Sequence, residues 1–172
     1  DLVNSSTEIS KLSKLKACNQ HIFDEERFIL TNLNVLKENR VFKWKVHLNK
    51  ITNWCAIGIA VPQVLKANDF KFHIYDIRNC AKINNGCFLI DSSGYLLNSN
   101  NFQQNKIREN FSFKSGDTIE IIYNSREETL EFIIISCNLK ITLTSVNGVD
   151  GMILSPAAVV CSQGDCVEFE FL

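Results

Sequence analysis

Chemistry in this chain would have to come from three histidines, seven cysteines or a converging set of acids. A histidine beside a thiol or hydroxyl makes a base with a nucleophile, and clustered thiols and imidazoles hold zinc. His21, His47 and His73 stand alone in the sequence, and no motif draws them together. Cys161 and Cys166 flank Gly164, yet no second pair or clustered histidine completes a tetrahedral site. The acidic pairs Glu25-Glu26 and Glu127-Glu128 read as solvated turns, the second at a hairpin tip. No glycine-rich loop of the phosphate-cradling kind is present. The sequence therefore predicts no catalytic residue, no metal and no cofactor, and function is expected to lie in binding.

The bulk properties narrow what is bound. Eighteen basic residues against nineteen acidic ones leave a formal net charge of -1, which gives no pull toward a phosphate backbone, so nucleic acid is not expected. The longest apolar stretch, Cys55 to Val61 ahead of Pro62, is strand-sized and far short of the ~20 residues that cross a bilayer. No membrane partner is expected either. An odd cysteine count forbids complete internal pairing, and several cysteines sit in apolar runs, which favours a reducing, intracellular (cytoplasmic) setting. The opening residues Asp1-Leu2-Val3 lack a signal-peptide pattern and suggest a domain cut from a longer protein.

These features must be carried by a scaffold, and its elements are mostly short strands. Ile9, Leu12 and Leu15 follow a capping box at Ser5-Ser6-Thr7-Glu8, which predicts a short N-terminal helix within an extension over residues 1–27. Such a helix packs on the domain edge or drives self-association. Alternation then takes over. Phe42, Trp44, Val46 and Leu48 point one way while Lys43, Lys45 and His47 point the other, the period of a strand with one wet face. Trp54 to Val61 is apolar on both faces, as in a strand at the middle of a sandwich, and Asn49 to Asn53 supplies a turn that makes the two strands a hairpin. Both tryptophans are expected in the core between the sheets. Further strands are expected at 70–74, 87–90, 95–97, 118–123, 129–135, 139–144 and 166–172. Pro156 is expected at an edge or bulge, because proline cannot donate to a ladder. Many short strands with one helix imply an all-β, two-sheet antiparallel β-sandwich over residues 28–172.

Four blocks in order resemble the SPRY domain, a recognition module of tripartite-motif ubiquitin ligases, SOCS-box adaptors and Ran-binding scaffold proteins. They are Phe42-Lys43-Trp44-Lys45-Val46 with Trp54-Cys55-Ala56-Ile57-Gly58-Ile59-Ala60, then Ser92-Ser93-Gly94-Tyr95-Leu96-Leu97-Asn98. Phe113-Lys114-Ser115-Gly116-Asp117-Thr118-Ile119 with Thr129-Leu130-Glu131-Phe132 is the third, and Leu154-Ser155-Pro156-Ala157-Ala158-Val159 with Val167-Glu168-Phe169 the fourth. Asn124 stands where the family often has Asp, Ile133-Ile134-Ile135 replaces its Asn-Gly turn, and Leu97 replaces a common aromatic. The resemblance implies a concanavalin-like jelly roll that catalyses nothing and binds a peptide or protein, as the substrate-recognition part of a ubiquitin-ligase-like or scaffold protein would.

The same resemblance implies a ligand face built by end loops. On this chain those loops carry Gln63, Lys66, Asn68, Asp69 and Phe70, then Tyr75, Asp76 and Arg78, and then Asn100, Asn101, Phe102 and Gln103. Tyr75, Arg78 and Phe102 are the expected anchors, since aromatic and Arg side chains most often dominate interfaces. Two other readings stay open at this stage. One is a carbohydrate-binding lectin-type sandwich, because the architecture hosts unrelated functions; the other is an architectural domain that oligomerises through the N-terminal helix.

Overall fold

The computed structural model describes residues 14–20, 26–31, 33, 35, 41–68, 70, 84–101, 103–147 and 152–172. The described elements are β1 (Lys14–Cys18), β2 (Arg27–Leu30), β3 (Val41–Lys50), β4 (Cys55–Ala60), α1 (Pro62–Ala67), β5 (Cys87–Asp91) and β6 (Leu96–Asn98), then a 3-10 turn (Gln104–Lys106), β7 (Thr118–Asn124), β8 (Thr129–Ile134), β9 (Leu139–Leu143), β10 (Ser155–Val160) and β11 (Cys166–Phe171). They form a six-stranded sheet in the order β1-β11-β3-β7-β8-β9 and a five-stranded sheet in the order β2-β10-β4-β5-β6. Every pairing is antiparallel.

Side-chain alternation explains which faces meet. Trp44, Val46 and Leu48 of β3, Ile119 and Ile121 of β7, Phe132 of β8 and Phe169 of β11 are buried against Ile57, Ile59, Phe88 and Ile90 of the opposite sheet. Successive strand residues face opposite sides, so one sheet turns lysines and glutamates outward while its apolar set closes the core. The five-stranded sheet is apolar on both faces. Ala56, Ala60, Cys87, Leu89, Leu97, Ala157 and Val159 form a second cluster on its outer face, where Leu65 of α1 and Phe28 join them. At Gly58, φ is +153° and a Cβ would lie 2.2 Å from the Phe88 carbonyl oxygen, so only glycine lets β5 pair there.

Several expectations change in three dimensions. The strands expected at 42–48 and 54–61 are present as β3 and β4, the second confined to Cys55–Ala60, but they do not form a hairpin: β3 pairs with β11 and β7, while β4 pairs with β10 and β5 in the other sheet. The Asn49–Asn53 link crosses between sheets because both strands carry an apolar face that needs its own sheet to bury it. Trp44 is in the core as expected, whereas Trp54 is half-buried on the outer cluster and donates its Nε1 to Asp91 Oδ2 at 3.2 Å. Leu15, expected on a helix, lies in β1, which is paired residue by residue with β11; residues 1–13 lie outside the described residues. The one described α-helix follows β4 instead.

Pro156 sits in β10, a strand with neighbours on both sides, rather than at an edge. Its carbonyl accepts from the Thr31 N–H at 3.1 Å, just past the end of β2. In a ladder the N–H and C=O of one residue point to the same neighbour, so the missing donor falls where β2 has already stopped. The run Ile133-Ile134 simply extends β8, and its turn is displaced to residues 135–138, where Asn138 has φ +53°. Asn124 replaces the expected acid without loss of function in its turn, since its Oδ1 accepts from the Arg126 and Glu127 amides at 3.1 and 3.2 Å. Cys18 and Cys166 form a disulfide, which runs against the expectation of a reducing compartment.

Candidate functional site

The links of the sandwich gather at two ends. At one end lie the links that follow β1, β3, β5, β8 and β10, together with the turn before β7. At the other, here the open end, lie α1, the residues that lead directly into β5, the start of the link after β6, the β7–β8 turn and the first residues after β9.

The open end is laced by carboxamides. Asn98 is buried at the end of β6; its Nδ2 donates to Gln104 Oε1 at 2.6 Å and to the Thr144 carbonyl at 2.7 Å, and its Oδ1 accepts from the Asn100 and Asn101 amides. Asn105 Oδ1 closes the set on the Asn98 amide. Asn100 Nδ2 reaches the Ser145 carbonyl at 2.9 Å and the Asn147 side chain, and Asn147 in turn donates to Glu128 Oε2 at 3.0 Å. Beside this network Val61, Val64 and Phe88 floor a shallow hollow of about 30 Å³, open to solvent and rimmed by Asn84, Ser99, Asn100 and Asn147. Asn84, Phe70, Glu128 and Ser145, four of the five non-glycine residues with positive φ among those described, belong to this end. Backbone held in that region costs of order 1–3 kcal/mol per residue and concentrates where a surface is shaped for use.

Seven of the residues expected to bind lie within the described part. Gln63 is exposed on α1, where its Oε1 accepts from the Ile153 amide at 3.3 Å. Lys66 is exposed in the last turn of α1, and Asn68, exposed at its C-cap, donates Nδ2 to the Val64 carbonyl at 2.8 Å. Phe70 is half-buried and packs its ring on Phe28, centroids 6.5 Å apart. Asn100 rims the hollow, and Asn101 Oδ1 accepts from the amide of exposed Gln103 at 3.1 Å. Asp69, Tyr75, Asp76, Arg78 and Phe102 lie outside the described residues. Asn84, Ser99, Thr144 and Asn147 were not legible as site residues, because Asn100 and Asn147 meet across 47 positions of sequence and neither belongs to a motif.

One arrangement elsewhere has the outline of a proton relay. His47 Nδ1 lies 3.0 Å from Thr118 Oγ1 and its Nε2 lies 2.8 Å from Glu170 Oε2. That hydrogen bond, with Lys14 and Lys45 nearby, holds the Glu170 carboxyl below its ordinary value. The group stands on the outward face of the six-stranded sheet, away from the hollow, and a flat sheet face offers no cleft to position a substrate. Burial pushes the Cys87 thiol up to about 12 and raises that of Cys55 further, so both stay protonated and unreactive. Among the described residues no group of three or more His, Cys, Asp or Glu could hold a metal ion, and no helix is long and apolar enough to cross a membrane.

No protein-family model and no curated protein matches the chain. Solved structures do. The SPRY domain of human HERC1 superposes with a TM-score of 0.59 at 16% identity, covering 86% of this chain and 83% of that one. A human SPRY domain gives 0.56 at 14% identity, covering 90% of each chain. Stonustoxin gives 0.51 at 14% identity, over 89% of this chain and 23% of the toxin chain. These superpositions show that the chain has the SPRY-domain fold, here a two-sheet antiparallel sandwich.

Proposed function

We propose that the open end captures a peptide or protein surface, and that the domain is the recognition part of a larger scaffold or ubiquitin-ligase-like protein. The observation that supports this most is the meeting of Asn100, Ser99, Asn84 and Asn147 around one apolar-floored hollow, on loops held by a rigid sandwich. Tyr75 and Arg78 belong to the link between α1 and β5 and Phe102 to the start of the link after β6, and they are the proposed anchors. Gln63, Lys66, Asn68 and Gln103 add a polar rim, the usual surround of an interface core. On this reading the setting is intracellular, where buried Cys55 and Cys87 remain thiols.

The test is retention of binding partners from the native cell on the full chain and on a Tyr75→Ala, Arg78→Ala, Phe102→Ala variant. Each anchor lost is expected to cost about 2 kcal/mol, so the variant should retain specific partners at well under a tenth of the parent level with an unchanged melting curve. Undiminished partners on a folded variant overturn the assignment.

A further inference from the structure

Among the described strands, β1 is the one fastened by a disulfide. It lies at the edge of its sheet with β11 as its described neighbour, and its Leu15 and Ala17 turn inward to the core. Outward, Lys14 meets Glu168 at 3.5 Å and Glu170 at 3.7 Å, exposed pairs of the kind that contribute little. The strong attachments all sit at its C-terminal end. Cys18 faces Cys166 directly across the ladder and is joined to it by a disulfide. Next to it, the Asn19 amide donates to the Asp165 carbonyl at 2.8 Å, the Gly164 amide donates to the Asn19 carbonyl at 2.7 Å, and Asn19 Nδ2 reaches the Cys161 carbonyl at 3.0 Å. Cys18 is half-buried, so a small thiol can reach it, whereas Cys166 is 6% exposed.

We propose that Cys18–Cys166 is a redox-operated clasp that fastens β1 to the edge of the sandwich. A glutathione-class thiolate attacks Sγ of Cys18, forming a mixed disulfide there and expelling Cys166 as a thiolate, which takes up a proton. A second thiol attacks the mixed disulfide, leaving Cys18 as a thiol and releasing glutathione disulfide. The reverse exchange, with glutathione disulfide as oxidant, closes the clasp. Opening spares the core, because β11 stays paired with β3 from Cys166 to Phe171 while β1 has little apolar area to hold it. It also turns β11 into an edge, with backbone donors and acceptors open to another strand. The clasp reconciles the disulfide with a reducing setting: it closes only when the surroundings become oxidising.

The experiment uses the full chain equilibrated in glutathione buffers of two poises. In the oxidised buffer a non-reducing digest should yield the peptides bearing Cys18 and Cys166 joined, and amides of residues 14–18 should exchange slowly with deuterium. In the reduced buffer, and in a Cys18→Ser variant under either poise, those amides should exchange faster by about tenfold or more while β3 and β7 keep their protection. Failure to find the joined peptides in the oxidised buffer overturns the proposal. So does equal protection of residues 14–18 in the two buffers.

Discussion

The two ends of the sandwich are closed by different chemistry. Opposite the open end, the links are tied by buried carboxylates and a covalent bond. Asp165, fully buried, accepts from the Thr52 amide at 2.7 Å and the Ser162 amide at 2.8 Å, and Asp91, also fully buried, accepts from the Ser93 and Tyr95 amides at 2.9 Å each. A carboxylate out of water must keep every one of those donors, so such a turn has one arrangement. The open end uses neutral carboxamides that both donate and accept, and exchanging one partner for another costs them little. One end is held in a single arrangement; on the proposed reading the other can trade its own hydrogen bonds for those of a ligand.

The contrast is broken most severely at Asp165. Asp165→Ala strands the Thr52 and Ser162 amides and is expected to lower the unfolding free energy by about 4 kcal/mol, read by urea denaturation; a loss near zero would dissolve the distinction between the ends. Replacing Cys18 and Cys166 together by serine should lower stability by about 3 kcal/mol in oxidising buffer and by nothing measurable when parent and variant are compared under reduction.

Gly116 makes a smaller test of the same end. It has φ +91° in the turn before β7, with nothing within 4 Å of where a Cβ would stand, and the Lys114 amide donates to Asp117 Oδ2 at 2.8 Å. Gly116→Ala therefore carries only the backbone term, about 1 kcal/mol by thermal or urea melting. At the open end Asn100→Ala should cost about 1 kcal/mol or less, since its partners there are exposed to water, yet it should abolish partner retention. The opposite outcome, a large stability loss with binding intact, would make that end purely structural.

The smallest effect lies on the sheet face between the ends. The Glu170 carboxyl titrates below its ordinary value because His47 hydrogen-bonds to it. A depressed folded-state value means that the contribution is present above the ordinary carboxylate range and is lost as pH falls through the folded value. In a His47→Ala variant the Glu170 midpoint, followed by NMR, should move up toward the ordinary value, with no change at either end of the sandwich.

Much of this was legible in residue order alone. Alternation through Phe42–Leu48, Thr118–Tyr123 and Thr129–Phe132 reports which side chains share a face, because a strand repeats every second residue whatever its neighbours. The Gly116-Asp117 turn was legible for the same local reason. The partner of a strand is not a local property. β1 was concealed by apolar spacing at Ile9, Leu12 and Leu15 that also suits a helix, and pairing with β11, 148 residues away at the disulfide, decided its form. Tertiary structure alone separated β3 from β4, moved Trp54 to the outer cluster, joined Cys18 to Cys166 and brought Asn100 to Asn147. Composition and period determine that this chain buries two apolar faces in a sandwich; which loops then meet at its ends depends on the strand order, and that is settled only when the whole core closes.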